Sequence, residues 1–457
     1  MKKIFFILLS IFIAIAAILT SCEDLIETDY PTNQIGTAQV FDNVHTANSA
    51  LNDIYAELRT QSFFSGVDTG TGILLGMYTD DIDCYYNDQN GFRDIYLNMQ
   101  QASNSVVELS WDTAYKIIYA ANSIILGVEN STGLNETEKD QIKGEALLIR
   151  TVFYFYLQQL FGGIPYTTSI DYEYNRTLSK TNENELLTIL SNDLVEASQL
   201  LNDDYRHPER IYVNKKVAEL MLAKVYLTQG NYSLAEQTIM SVLQSPLYQF
   251  QPDLNEVFHN TGNHILWQLQ PMVALFPTWE SLFFYFTDAP PHAFALTDNL
   301  VSSFSENDLR KTAWIEPVTF NNQVWYRPNK YKNIDVNPDE YSVVIRIEEA
   351  YFIMAEALAR QNRISEALPY INMTRERAGL QPLGSVSQEV FITELLNERR
   401  REFFTEFGHR FIDLKRLEKL HILSGVKPNW VESKKVWPIP QKELLLNPNL
   451  NPQNEGY

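Results

Sequence analysis

Most of this chain alternates amphipathic segments with short polar turns, and the spacing of its apolar residues predicts helices. Between residues 41 and 59, apolar side chains recur every three or four positions, as they do on one face of a helix. Similar spacing occurs in five further stretches: 111–128, 139–165, 183–201, 214–244 and 346–379. Gly162, Gly163 and Pro165 should end the helix that begins near residue 139.

Two of these stretches, 214–244 and 346–379, share a layout of helix, polar turn and helix. Ala223, Gln229, Ser233 and Ala235 recur at one constant offset as Ala355, Gln361, Ser365 and Ala367. The layout is similar to the tetratricopeptide pattern, although neither copy carries its full consensus. Because the two copies are far apart in sequence, we expect them to stack in space and not to form a regular solenoid.

Two segments lack helical spacing, namely residues 63–92 and 246–340. The second is rich in proline and contains four of the seven tryptophans. Its stretches "HILWQLQP", "SLFFYF" and "NQVWYRP" are typical of short strands. The predicted fold is therefore mainly α, with degenerate tetratricopeptide-like hairpins and an irregular, aromatic-rich insertion with short strands. Its helical frame should cover residues 37–62, 93–245 and 340–457. The irregular parts should contain the ligand-binding site, because long ordered loops on a rigid frame usually carry function.

The first 21 residues have the pattern of a signal peptide. Lys2 and Lys3 precede an apolar run that is shorter than the ~20 residues of a membrane-spanning helix. The run ends in "LTSC", which is similar to the lipobox of bacterial lipoproteins, so lipidation is expected at Cys22. Residues 22–36 would then form a polar tether. The alternative is an ordinary signal peptide with a chance cysteine.

The charge balance is acidic, with 36 Lys and Arg residues against 57 Asp and Glu residues and a net charge of −21. Nucleic acids attract basic surfaces, so this balance argues against nucleic-acid binding. It also argues against attachment to anionic lipid by charge, and membrane attachment should depend on the lipid at Cys22. Cys84 is the other cysteine, and it has no partner for an internal disulfide if Cys22 is lipidated.

The segment 397–417, "NERRREFFTEFGHRFIDLKRL", combines many charges with phenylalanines. Glu398 and Arg401 are spaced i,i+3, and His409 and Asp413 are spaced i,i+4. The arginines could bind an anion such as phosphate. Alternatively, the charges pair with one another at a packed interface, where the phenylalanines would place them. Gly408 should mark a bend between two helices.

Three segments carry a resemblance to a known family: "ERRREFFTEFGHRFIDLKR", "GEALLIRTVFYFYLQQLFGGIPYTT" and the C-terminal "WPIPQKELLLNPNLNPQNEGY". Together they resemble the SusD/RagB family of surface glycan-binding lipoproteins. The resemblance runs from Cys22 to Tyr457 in the order that the family shows. It implies a mostly helical protein that is lipid-anchored on the outer membrane. It also implies that the protein captures oligosaccharide and delivers it to a SusC-like TonB-dependent transporter.

A glycan site should combine exposed aromatic rings with amides, carboxylates and arginines, because rings stack on the C–H faces of sugars and polar groups bind the hydroxyls. Two clusters in the irregular segments meet this description: Asp81, Tyr85, Tyr86 and Asn87 in the first, and Trp279, Trp325, Tyr326 and Arg327 in the second. Trp267 lies in an apolar run and should be core. For each single aromatic residue, core or loop packing is the alternative.

No cofactor is expected. A structural calcium ion is one interpretation of the oxygen-bearing side chains between residues 80 and 90, and a solvated acidic loop is the other; the side chains are those of Asp80, Asp81, Asp83, Asp88 and Asn90. Their spacing does not match an EF-hand loop.

The sequence contains no Gly-x-Ser-x-Gly, His-Glu-x-x-His or phosphate-binding glycine loop, so an enzyme is not expected. A surface glycosidase using two of the many carboxylates is the enzymatic alternative. A surface scaffold that binds a peptide or protein is the other alternative.

Overall fold

The structure is a computed structural model, which describes Lys3, residues 37–87 and residues 91–457. The signal peptide, Cys22, the tether 22–36 and two members of the acidic loop, Asp88 and Asn90, lie outside the described residues. The helices in chain order are α1 Thr37–Val40, α2 Val44–Thr60, α3 Thr71–Tyr78, α4 Phe92–Tyr96, α5 Ser105–Asn130, α6 Glu136–Phe161, α7 Tyr172–Asn175, α8 Glu183–Leu200, α9 Lys215–Thr228, α10 Tyr232–Leu243, α11 Trp279–Phe284, α12 Asp298–Ser302, α13 Leu309–Ala313, α14 Ile347–Arg360, α15 Ile364–Arg377, α16 Gln388–Phe403, α17 His409–Arg416 and α18 Gln441–Leu446.

The six helical stretches predicted from spacing all form helices, and they pack in a chain of neighbours. Helix α6 is at the centre, because every side from Gly144 to Phe161 is buried between α5 and α8. A helix that is buried on all sides is part of the core. Asn135 and Glu138 cap its start reciprocally, and Gly162, with φ of +74°, ends it as expected.

The two similar hairpins, α9–α10 and α14–α15, do stack against each other through α10 and α14. Two polar bridges join the turn of the second hairpin to helix α10 of the first. The side-chain amide of Gln361 donates to Glu236 Oε2 over 2.8 Å, and Arg363 Nη1 lies 2.7 Å from the same oxygen. The spatial stacking of the distant copies is therefore confirmed.

The irregular segments form two small antiparallel sheets. The first has the strand order β1, β3, β5, β4, and the second pairs β2 with β6. The strands are β1 Ile82–Cys84, β2 Ile265–Leu269, β3 Phe294–Leu296, β4 Ile315–Phe320, β5 Gln323–Pro328 and β6 Ser342–Arg346. The strands predicted at "HILWQLQP" and "NQVWYRP" are confirmed as β2 and β5.

Two predictions in these segments were wrong. "SLFFYF" is mostly helix α11, because the Thr278 side chain accepts from the Ser281 backbone N–H and caps a helical turn. Segment 63–92 contains the buried helix α3, whose apolar residues are uninterrupted and therefore show no amphipathic period.

The charges of segment 397–417 form an internal ion-pair lattice and not an exposed anion site. Arg310 Nη1 lies 2.8 Å from Glu398 and 3.1 Å from Glu402, and all three side chains are fully buried. Gly408, with φ of +73°, separates α16 from α17 as expected. Arg399 binds Asp413 over 2.6 Å and fixes α17 against α16. The lattice therefore joins the helical frame to the irregular part through α13.

No helix in residues 37–87 and 91–457 combines the length and hydropathy that a membrane span requires. Cys84 is a buried free thiol.

Candidate functional site

The first sheet brings residues from two distant segments together. Strand β1 comes from segment 63–92, whereas β3, β4 and β5 come from the insertion. The register pairs Asp83 with Ala295 and Trp325 with Val318, while Leu296 pairs with Tyr326. Because side chains alternate along a strand, this register distributes the predicted residues over two opposite faces of the sheet.

Tyr85 and Trp325 meet on one face. Both side chains are partly buried, and both pack against the small cluster of Phe286, Ala295 and Val318. Their shared contact with this cluster places the two rings on the same side of the sheet. Two aromatic residues that the sequence places about half the chain apart therefore form one partly exposed surface.

Arg327 extends this surface. Its Nη1 donates to the Phe286 carbonyl over 2.7 Å, and its guanidinium lies 4.3 Å from the centre of the Tyr285 ring. Tyr285 is 41% exposed and was missed by the sequence reasoning, which assigned "SLFFYF" to a strand. We call Tyr85, Tyr285, Trp325 and Arg327 the Tyr85–Trp325 face.

A cavity of about 490 Å³ adjoins this face and shares Tyr85 with it. Asp83 and Tyr96 line it, and the Tyr96 hydroxyl donates to Asp83 Oδ1 over 2.8 Å. Arg93 also lines it and donates to the Cys84 carbonyl over 2.9 Å. Asn87 is exposed at its edge.

The tyrosines of this cavity are neutral acids that both donate and accept hydrogen bonds. Burial, and after it the Asp83 carboxylate, raises the pKa of Tyr85. The same two causes raise the pKa of Tyr96. Phenol groups with raised pKa values stay protonated at neutral pH. They can therefore bind the hydroxyl groups of a ligand either as hydrogen-bond donors or as acceptors.

Tyr86 and Tyr326 lie away from the Tyr85–Trp325 face. The Tyr86 ring packs 4.9 Å from Phe294 and its hydroxyl donates to Asp68 Oδ2 over 3.2 Å, although the residue also borders the cavity. Tyr326 packs against the buried cluster that includes Leu296. These contacts match the packing alternative for both residues.

Asp81 belongs to a buried ion pair. It is 1% exposed, and its Oδ1 accepts from Arg400 Nε over 2.8 Å. Asp80 binds Arg410 through both carboxylate oxygens. Among the described residues, no group of three or more His, Cys, Asp or Glu side chains could hold a metal ion. Asp88 and Asn90 lie outside the described residues, so both interpretations, a calcium ion and a solvated acidic loop, stay untested.

Trp279 lines a separate cavity of about 170 Å³, which we call the Trp279 cavity. Its ring lies 5.7 Å from that of Phe276. Trp267, by contrast, is 1% exposed, so its assignment to the core is confirmed. The second predicted cluster is therefore divided between two places in the fold.

Comparison with known proteins identifies relatives along most of the chain. Residues 48–227 match a family model described as starch-binding and associating with the outer membrane, and residues 297–457 match the SusD family model. SusD-like protein P2 of Formosa agariphila is 26% identical over 98% of this chain and 99% of its own.

Solved structures share the fold. A SusD superfamily protein from Bacteroides vulgatus has a TM-score of 0.77 and 20% identity, and the match covers 91% of this chain and 100% of that one. Surface glycan-binding protein A from Bacteroides thetaiotaomicron, solved with laminarihexaose, has a TM-score of 0.75 and 18% identity over 90% of this chain and 99% of its own.

Proposed function

This chain belongs to the SusD/RagB family, and from that premise we propose that it is a cell-surface lipoprotein that binds oligosaccharide. It then delivers the oligosaccharide to a SusC-like TonB-dependent transporter for import across the outer membrane. The family descriptions, which name starch binding and outer-membrane association, support this proposal. A fold shared with a protein solved with laminarihexaose supports it further.

The observation that carries the proposal is the Tyr85–Trp325 face. Flat rings at 85, 285 and 325 offer stacking surfaces to the C–H faces of pyranose rings. The cavity next to them presents hydroxyl, carboxylate and amide groups from Tyr96, Asp83 and Asn87 that suit sugar hydroxyls. Rings beside convergent polar groups are the chemistry that recognises a carbohydrate.

The role we propose is binding and not catalysis. Glycoside hydrolysis uses a pair of carboxyl groups on either side of the scissile bond. Among the described residues that line the cavity, Asp83 is the carboxylate, and its Oδ1 accepts from Tyr96. Glu316 lies opposite Arg327 in the sheet register, at the face itself.

Attachment to the membrane would come from lipid at Cys22, and residues 22–36 would hold the folded body away from the bilayer. Two or three acyl chains suffice for a stable anchor. The helical frame would supply the surface that contacts the transporter, and the aromatic-rich insertion would bind the glycan.

Affinity electrophoresis of residues 23–457 in gels that contain single polysaccharides tests the glycan assignment. The wild-type protein should be retarded by its glycan without shortening it. Trp325→Ala should weaken binding by roughly tenfold, as for a central aromatic contact. Tyr174→Ala removes a ring that is 55% exposed elsewhere, so it is the matched control and should bind normally.

Three results would contradict this function. A shortened polysaccharide would favour a glycosidase. Binding of peptides but of no glycan in a broad panel would favour a peptide-binding scaffold. Equal binding by Trp325→Ala and the wild type, with equal melting temperatures, would remove the Tyr85–Trp325 face from the site.

A further inference from the structure

The Trp279 cavity is a second concave site with aromatic walls. The rings of Phe64, Phe276 and Trp279 line it together with the apolar side chains of the loop that follows β2. In this loop Met272 is 59% exposed and Val273 is 63% exposed. The volume of about 170 Å³ is smaller than the ~300 Å³ and more of a pocket for a drug-sized ligand, so it suits one sugar ring or branch.

Arg59, in the last turn of α2, supplies a positive charge to this cavity. Its Nη1 makes a long contact of 3.4 Å with the Gln270 carbonyl, and its buried Nε has no hydrogen-bond partner. Within residues 37–87 and 91–457, no carboxylate lies within 4.0 Å of its guanidinium. Burial lowers the pKa of Arg59, but the group stays charged at neutral pH.

This arrangement differs from that of the buried arginines in the described part of the chain, each of which is paired with a carboxylate. Arg310, for example, is surrounded by Asp308, Glu398 and Glu402. A charged group that has lost much of its water is stabilised by an opposite charge. Arg210 is also partly buried without a carboxylate, but its guanidinium donates to four oxygen acceptors. Arg59 has one long hydrogen bond instead, and it lines the cavity.

The carboxyl group of Glu280 lies against Gly66 and Ser342, two residues of the cavity wall. Its Oε2 accepts from Ser342 Oγ over 2.8 Å, and its Cδ lies against the backbone of Gly66, where a Cβ atom would come within 2.2 Å. Burial raises the pKa of Glu280 to about 7, and Glu340 and Glu406 add to the rise. Glu280 is therefore partly neutral near pH 7 and offers little opposition to an anion at Arg59.

We propose that the Trp279 cavity binds an anionic sugar, with a carboxylate or sulfate ester on the Arg59 guanidinium and the sugar ring against Trp279. Guanidinium groups bind such planar or tetrahedral oxyanions through two parallel hydrogen bonds. The glycan that this protein captures is therefore acidic. This inference rests on the proposed function and adds the class of glycan to it.

Isothermal titration calorimetry with pairs of glycans that have the same sugar chain and differ in charge tests the inference. Trigalacturonate and its methyl ester differ in the charge of each ring, and a sulfated carrageenan hexasaccharide and its desulfated form differ in sulfate. The wild type should bind the charged member of one pair more tightly. Arg59→Gln should bind that charged member roughly tenfold or more weakly than the wild type does, and its affinity for the neutral member should be unchanged. The pair that responds identifies the carboxylate or the sulfate.

Two further variants control for charge and folding. Arg59→Lys keeps the charge without the fork and should recover part of the affinity. Arg176→Gln removes an exposed arginine on α7's C-terminal side and should bind like the wild type. Equal affinities for charged and neutral probes, or an Arg59→Gln variant that binds like the wild type, would overturn the inference.

The outcome also separates this inference from the proposed function. The protein could bind neutral laminarihexaose in a way that depends on Trp325 and show no preference for either charged probe. That result would leave the proposed function intact and contradict the inference that the glycan is acidic. A wild-type protein that binds none of the glycans would remove both.

Discussion

Replacing Glu280 by glutamine should make the protein more stable at alkaline pH and leave it unchanged in acid. The carboxyl group of Glu280 accepts one hydrogen bond from Ser342 and lies near Glu340 and Glu406, which are also acidic. Burial raises its pKa from 4.5 to about 7. The folded state therefore holds the Glu280 proton more tightly than the unfolded state does.

The sign and size of the effect follow from that difference in pKa. Well below pH 4.5 the group is protonated in both states, so it adds no pH-dependent cost. As the pH rises to about 7, the unfolded state ionises first, and the free energy of unfolding falls. A rise of the pKa from 4.5 to about 7 lowers the free energy of unfolding at alkaline pH by about 3 kcal/mol, at ~1.4 kcal/mol per pKa unit. Because the Glu280 side chain retains some solvent exposure, this value is an upper limit for the loss of stability.

Urea unfolding of residues 23–457, followed by tryptophan fluorescence, measures this change. Glu280→Gln should exceed the wild type by up to about 3 kcal/mol at pH 8 and match it at about pH 3, because the amide oxygen still accepts from Ser342. Glu173→Gln, at a glutamate that is 74% exposed, is the matched control and should show no such dependence. A stability difference that is the same at both pH values, or a less stable variant at pH 8, would refute the reasoning.

Two other changes test the ion-pair lattice and the anchor. Glu402 is fully buried between Arg310, Arg346 and Arg377, so Glu402→Gln should lower the free energy of unfolding by about 3–5 kcal/mol. Urea unfolding measures this loss, and a change below about 1 kcal/mol would mean that the lattice does not require this charge. Cys22→Ala should move the protein from the membrane fraction to the soluble fraction and abolish labelling by radioactive palmitate. Unchanged retention in the membrane fraction would contradict a lipid anchor at Cys22.

The helical frame was predictable because its signals are local. The spacing of apolar residues, the cap at Asn135 and the stop at Gly162 each depend on a few consecutive residues. The bend at Gly408 is local in the same sense, since only its own φ of +73° is involved. Helix α3 was missed because it is apolar on all sides. Helix α11 was missed because it is short and its apolar and aromatic residues are typical of a strand.

The sequence predicted which types of residue form the candidate site, but it did not predict which of these residues share one surface. Composition pointed to Tyr85, Trp279 and Trp325, because rings beside polar residues in irregular segments suit a glycan. Only the register of the first sheet placed Tyr85 beside Trp325 and turned Tyr326 to the other face. A shift of the register by one residue would exchange these faces.

The sequence by itself determined the helices, the acidic charge and the aromatic composition of the insertion, since each is a property of single residues or short windows. Tertiary structure alone decided which rings share a surface, that the arginines of 397–417 are paired, and that Arg59 is not. The physical reason is that pairing and burial depend on neighbours that lie far away in sequence. Arg59 and Arg310 look alike in the chain, and only their packed surroundings distinguish a charge that is matched from one left open to a cavity.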